Sequence, residues 1–152
     1  MIEIRYMNRP EAKEYLQWDY PAPYAFYNIP AAAHVDEMAN IFADDGDDYY
    51  SVLEDDILIG MYEFSFPDGV LELGLGLAPE YMGAGRGRDF VQQGIDFARS
   101  RYHYAGPITL EVADFNARAR HVYEELGFKQ IGTRDANAYG TPVTFIKMQL
   151  DK

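Results

Sequence analysis

Apolar and polar residues alternate over Ile2–Tyr6, which predicts a short first strand. Asn8-Arg9-Pro10-Glu11 follows with the signals of a helix start: an Asn cap, an early Pro and an acid in the first turn. The helix is predicted to run to about Trp18. Tyr20-Pro-Ala-Pro-Tyr-Ala-Phe-Tyr-Asn28 is then an aromatic loop, punctuated by proline and unfit for regular helix. Pro30 to about Phe42 reads as a second helix, with Val35, Met38, Ala39 and Phe42 expected on one side.

Beyond the acidic turn Asp44–Asp48, strand-like runs occupy Tyr49–Glu54, Ile57–Phe66 and Val70–Leu77. Asp55-Asp56 and Pro67-Asp68-Gly69 separate them as turns, so an antiparallel meander is expected. A helix from about Arg88 to Tyr102 carries Val91, Ile95, Ala98 and Tyr102 on one face. Ile108–Val112 is a strand, and Asn116–Leu126 is a helix stopped at Gly127. Lys129–Thr133 and Val143–Leu150 close the chain as strands. The order β α α β β β α β α β β predicts an α+β domain, with a mixed sheet of about seven strands flanked by about four helices.

Composition narrows the function classes. A length of 152 residues with 48% hydrophobic content fits a single domain over 1–152. The absence of cysteine excludes disulfides, thiolate zinc sites and a cysteine nucleophile. No run approaches the ~20 apolar residues that cross a bilayer, and the first residues lack a basic-then-apolar pattern. A cytoplasmic protein that does not engage a membrane is expected. Thirteen basic against 25 acidic residues, a net charge of −12, argue against nucleic-acid binding and favour the approach of a cation such as an amine. Asp44, Asp45, Asp47 and Asp48 lack the rest of a calcium loop, and His34, His103 and His121 lack metal-ligand spacing, so no metal is expected.

The chemistry concentrates after the strand Leu71–Leu77. Gly74 and Gly76 lie inside that strand, and Gly83, Gly85 and Gly87 occupy alternate positions just before the next helix. A glycine-rich strand-to-helix turn offers unpaired N–H groups at the positive end of a helix dipole, which suits a pyrophosphate. A P-loop would need Gly-Lys-Ser/Thr, which is missing. A dinucleotide fingerprint belongs in a first βαβ unit, whereas three antiparallel-looking strands precede this turn. The pyrophosphate of coenzyme A is the third option.

The run Leu77-Ala-Pro-Glu-Tyr-Met-Gly-Ala-Gly-Arg-Gly-Arg88 resembles motif A of the GNAT superfamily of N-acetyltransferases, with Met82 in a place usually held by Arg or Gln. A second block resembles the same superfamily: Ile108-Thr-Leu-Glu-Val, then Asn116, Ala119, Tyr123 and Gly127-Phe128. The resemblance implies a GNAT-like fold, acetyl-CoA as co-substrate and an acetyl-CoA core over residues 71–128. It implies that Met82, Gly83, Ala84, Gly85, Arg86, Gly87 and Arg88 hold the phosphates. It further implies that Leu75, Leu77 and Ala78 line the pantetheine and thioester, and that Leu77 polarises the carbonyl.

Asn116 is then expected on the pantetheine arm, with helix capping as its other role. Tyr123 is expected to protonate the leaving thiolate; a phenol of reference pKa ~10 is a usable acid for a thiol of ~8.5 when held in hydrogen-bond reach. Glu72 is the candidate general base, against Glu111, a water chain or the backbone. The acceptor side is expected in residues 18–48, where Trp18, Tyr20, Tyr24, Phe26 and Tyr27 form an aromatic cluster able to hold a cation or an apolar group, with Trp18, Tyr24 and Tyr27 as the candidate contacts. The expected partner is a small-molecule amine, with a homodimer left open. Two other functions compete: acetylation of a protein or peptide amine, and a non-catalytic acyl-CoA sensor.

Overall fold

The computed structural model describes residues 1–151. Its elements run β1 (Ile2–Tyr6), α1 (Arg9–Leu16), α2 (His34–Ile41), β2 (Asp48–Glu54), β3 (Ile57–Ser65), β4 (Leu71–Leu77), α3 (Gly87–Tyr102), β5 (Ile108–Ala113), α4 (Ala117–Glu125), β6 (Lys129–Ala138) and β7 (Thr141–Leu150). The strands form one 7-stranded sheet in the order β1-β2-β3-β4-β5-β7-β6. It is mixed, since β4 and β5 are parallel while β1–β2, β5–β7 and β6–β7 are antiparallel. The α+β expectation and its element order hold.

The chain divides into two compact units, Met1–Glu63 with Leu75–Met82, and Phe64–Gly74 with Gly83–Lys152. In the first, α1 opens on a full capping box. The Asn8 side chain accepts from the Glu11 amide at 2.9 Å, and the Glu11 carboxylate accepts from the Asn8 amide at 3.1 Å. The buried Glu11 also takes bonds from Arg5 at 2.6 Å and Ser51 at 2.8 Å. Burial pushes its carboxyl up, but these partners outweigh burial and hold it below the usual range. Met7, Ala12, Leu16, Ile41 and Met61 make one core cluster of this unit, with Met38 and Phe42 packed against it.

Two expectations here need correction. The first helix stops at Leu16, so Trp18 lies beyond it. The second starts at His34 after a 3-10 turn at Ala31–Ala33, and it buries Ile41 with Met38 and Phe42. Val35 is 80% exposed. A helix this short turns only one narrow stripe inward: Met38 and Phe42 lie on it as expected, while Ile41 takes the place expected for Val35 and Ala39.

In the second unit, α3 buries Phe90, Val91, Gly94, Ile95 and Ala98, so the predicted face gains Phe90 and Gly94 while Tyr102, at the helix end, is only half-buried. Ile108, Leu110, Val112 and Ala113 of β5 are buried. The β6–β7 hairpin is longer than its apolar pattern, with pairing continuing to Ala138↔Thr141. As the last strand of the sheet, β6 has one open side, and Arg134-Asp-Ala-Asn137 satisfies an edge with Ala136 as its one apolar residue.

Candidate functional site

In the second unit the glycine turn has the geometry the sequence suggested. Gly83 and Gly85 adopt φ +73° and +76°, left-handed conformations that favour glycine. Helix α3 then begins at Gly87 with Arg86 as its N-cap and no side-chain cap bond. The leading amides of a helix have no intrahelical acceptor and carry the positive end of its dipole. A methyl on Gly85 or Gly87 would meet nothing within 4 Å, so the turn is open on its outer side. This arrangement of uncapped amides beside open space fits the pyrophosphate of coenzyme A.

Arg118, in the first turn of α4, was not among the sequence candidates. A methyl on Gly83 would lie 3.6 Å from its Nη1, so the guanidinium stands beside the turn. The signal available was the basic start of that helix, Ala117-Arg-Ala-Arg120. Arg88 is exposed, with Nη1 3.9 Å from a carboxylate oxygen of Glu125.

Asn116 caps α4, its Oδ1 accepting from the Ala119 amide at 3.2 Å. The capping role expected as its alternative is therefore filled. Tyr123 is buried on the same helix, its ring 5.9 Å from that of Phe128. The amide of Phe128 donates to the Tyr123 carbonyl at 3.0 Å, so the helix end and the following strand hold the ring in place.

On β4, the parallel register with β5 comprises Leu71↔Ile108 and Glu72↔Thr109. Leu71 and Leu73 are buried, so the half-buried Glu72 between them projects from the opposite face. Glu111 accepts two 2.8 Å bonds from Arg134, which hold its carboxyl below the usual range. That ion pair ties Glu111 to β6.

The end of β4 belongs to the first unit. There the Tyr20 hydroxyl donates to the Leu77 carbonyl at 2.6 Å, and the Ala78 amide donates to the Ile59 carbonyl at 2.8 Å. Trp18 and Tyr20 lie against Gly76, where an added methyl would stand 3.7 and 3.6 Å from them. Trp18 also packs edge-on to Tyr15, centroids 5.2 Å apart. Of the three predicted acceptor residues, Trp18 is thus brought to β4. Tyr24 and Tyr27 lie half-buried on a 3-10 turn in the loop, where Phe26 and Tyr27 pack edge to face.

Glu63, on β3 of the same unit, was also missed. It is half-buried and hydrogen-bonded to Asp47 and Tyr49, and burial followed by the Asp47 contact pushes its carboxyl up to about 8. Nothing local in Met61-Tyr-Glu-Phe64 signals this, because the partners come from another part of the chain.

The family model described as acetyltransferase (GNAT) family matches residues 9–128. Streptothricin acetyltransferase of Streptomyces lavendulae is 42% identical over 65 residues, which is 43% of this chain and 33% of that protein's length. Spermidine N-acetyltransferase from Vibrio cholerae, in its complex with CoA and spermine, has a TM-score of 0.76 at 22% identity, covering 99% of this chain and 95% of that one. A chimera of the Vibrio cholerae enzyme and hSSAT has a TM-score of 0.77 at 22% identity, covering 99% and 94%. At that identity the likeness is one of fold.

Proposed function

This chain belongs to the acetyltransferase (GNAT) family, and from that premise we propose that it moves an acetyl group from acetyl-CoA to a primary amine of a small molecule. The observation that carries the reading is the uncapped start of α3 behind left-handed Gly83 and Gly85, with Arg118 beside it. Met82–Arg88 hold the pyrophosphate, and Asn116 contacts the pantetheine arm with whatever capacity its cap bond leaves. Leu75, Leu77 and Ala78 line the thioester, and the Leu77 N–H stabilises the developing oxyanion.

In the transfer, the amine nitrogen forms a bond to the acetyl carbon and the carbon–sulfur bond breaks. Tyr123 gives its proton to the departing thiolate, and a base takes the proton from the amine. Glu72 is that base in this reading. Glu63 is its rival, because a carboxyl pushed up to about 8 is a stronger base than an ordinary carboxylate once pH rises far enough to release its proton. A pH–rate profile separates them: an inflection near 8 that disappears in Glu63→Gln assigns the step to Glu63.

The acceptor is a cationic or aromatic amine. The net charge of −12 and the carboxylates of Glu37 and Asp47 in the first unit favour a cation. The Vibrio cholerae neighbour, a spermidine N-acetyltransferase, makes polyamines the first compounds to try. The test is a thiol-release screen over polyamines, aminoglycosides, amino acids and peptides. Turnover with a cationic small amine is the expected result. Turnover with peptides alone would move the reading to protein acetylation. If no amine turns over while acetyl-CoA still raises the melting temperature, a sensor module replaces the enzyme.

A further inference from the structure

Leu77 O and Ala78 N belong to one peptide group, and that group is held at both ends. Its carbonyl accepts from the Tyr20 hydroxyl at 2.6 Å, and its N–H donates to Ile59 O at 2.8 Å on β3. In an extended strand, the N–H and C=O of one residue point to the same edge, which is why opposed antiparallel residues exchange both bonds. The Leu77 N–H therefore points to the edge where the Tyr20 hydroxyl sits, and the Ala78 N–H points to the other. With the β4–β5 register confined to Leu71 and Glu72, it is a side chain that satisfies the Leu77 carbonyl.

Tyr20 is itself fixed. Its amide donates to Asn28 Oδ1 at 2.7 Å, and Asn28 Nδ2 donates to the Tyr20 carbonyl at 3.2 Å and to Asp19 at 3.0 Å. Asn28 thus pins the aromatic loop so that the phenol and Trp18 rest on Gly76. Burial pushes the Tyr20 phenol well above its ordinary value, which keeps it a hydrogen-bond donor at every pH of interest.

We propose that Tyr20 is a positioning residue for acetyl transfer: its hydroxyl, bonded to the Leu77 carbonyl, fixes the peptide edge that presents the Leu77 N–H to the thioester oxygen. The inference rests on the acetyl-CoA reading above and adds to it a residue from outside both family motifs. An oxyanion donor works by being already in place, so loosening the adjoining peptide on the same strand edge costs stabilisation without removing the donor.

Acetyl-CoA carrying a 13C-labelled carbonyl is the probe, bound to the full chain and observed by infrared difference spectroscopy beside CoA titrations. In the unmodified protein, the thioester stretch is expected to move to lower frequency on binding. In Tyr20→Phe most of that movement is lost, and the preference for acetyl-CoA over CoA falls about tenfold, on the scale of one hydrogen bond. Affinity for CoA itself stays the same. Asn28→Ala, which keeps the hydroxyl but frees the loop, gives a smaller change in the same direction and serves if Tyr20→Phe folds poorly. An unchanged stretch in both variants overturns the proposal, as does equal weakening of CoA and acetyl-CoA without a spectral change. Absence of any shift in the unmodified protein also overturns it while leaving CoA binding intact, whereas failure to bind acetyl-CoA at all removes the underlying function.

Discussion

Nη1 of Arg118 stands 3.6 Å from where a methyl on Gly83 would be, so the first turn of α4 brings a guanidinium to the glycine turn before α3. A charge there, next to uncapped helix amides, supplies the charge-assisted contact that Met82 does not make with its side chain. Arg118→Ala is expected to weaken CoA about tenfold, the weight of one bond to a charged group. Because Arg118 is exposed, the melting temperature should hardly move. Calorimetric titration at two salt concentrations checks both points; equal affinities for the two proteins would take Arg118 out of the site.

Gly85 and Gly87 separate backbone conformation from space. Both have room for a methyl, but only Gly85 lies at positive φ. Gly85→Ala should cost roughly 1–2 kcal/mol from the left-handed backbone and weaken CoA binding as the amides turn away. Gly87→Ala, at the first position of α3, should be neutral or stabilising by up to about 1 kcal/mol. Denaturant melts of the pair give the comparison, and equal losses would mean that φ is not the controlling variable.

Tyr123→Phe keeps the ring that packs near Phe128 and removes only the hydroxyl. Turnover on the best amine from the thiol-release screen is expected to fall about a hundredfold, with the melting temperature within a few degrees. Full activity at every pH would end the general-acid assignment.

Glu63 and Glu11 push the pH dependence of stability in opposite directions. Glu63 titrates at about 8 when folded against an ordinary 4.5, so between those values the folded state holds a proton that the unfolded chain has released. Its contribution is complete below about pH 4.5 and disappears as pH rises through 8. Between pH 6 and 9 the melting temperature should drop by about 5 °C more than in Glu63→Gln, whose amide does not titrate. Parallel curves for the two proteins would show that Glu63 is not protonated in the fold.

The Glu11 carboxyl is lowered, so its contribution is present above the unfolded value and is lost as pH falls through the folded one. Glu11→Ala also removes the capping box, takes the acceptor from the Ser51 hydroxyl and leaves Arg5 with Glu3 alone. A loss of about 2 kcal/mol at pH 7 is expected, shrinking toward acid. Urea titrations at pH 7 and pH 3 measure the difference.

The regular elements were readable wherever a local rule governs them. The Asn8–Glu11 capping box, the apolar face of α3 and the Asn116 cap on α4 each depend on residues a turn apart. The inward stripe of α2 was misplaced because its Val35 and Ala39 are as apolar as Met38 and Ile41, and only the packed core selects between them. The tail of β6 was missed because an edge strand needs no apolar alternation.

The sequence by itself determined the element order, the glycine-rich turn that opens α3 and, through two motifs, the family. Those properties are local, set by backbone sterics and by neighbours within a turn. Only the tertiary structure decided that Tyr20 bonds Leu77 across 57 residues, that Glu63 faces Asp47 and Tyr49, and that Arg118 reaches Gly83. Such contacts join segments that no local periodicity couples. They exist because burying the apolar faces fixes which loop lies over which strand, and the polar groups then bond whatever that packing brings within reach.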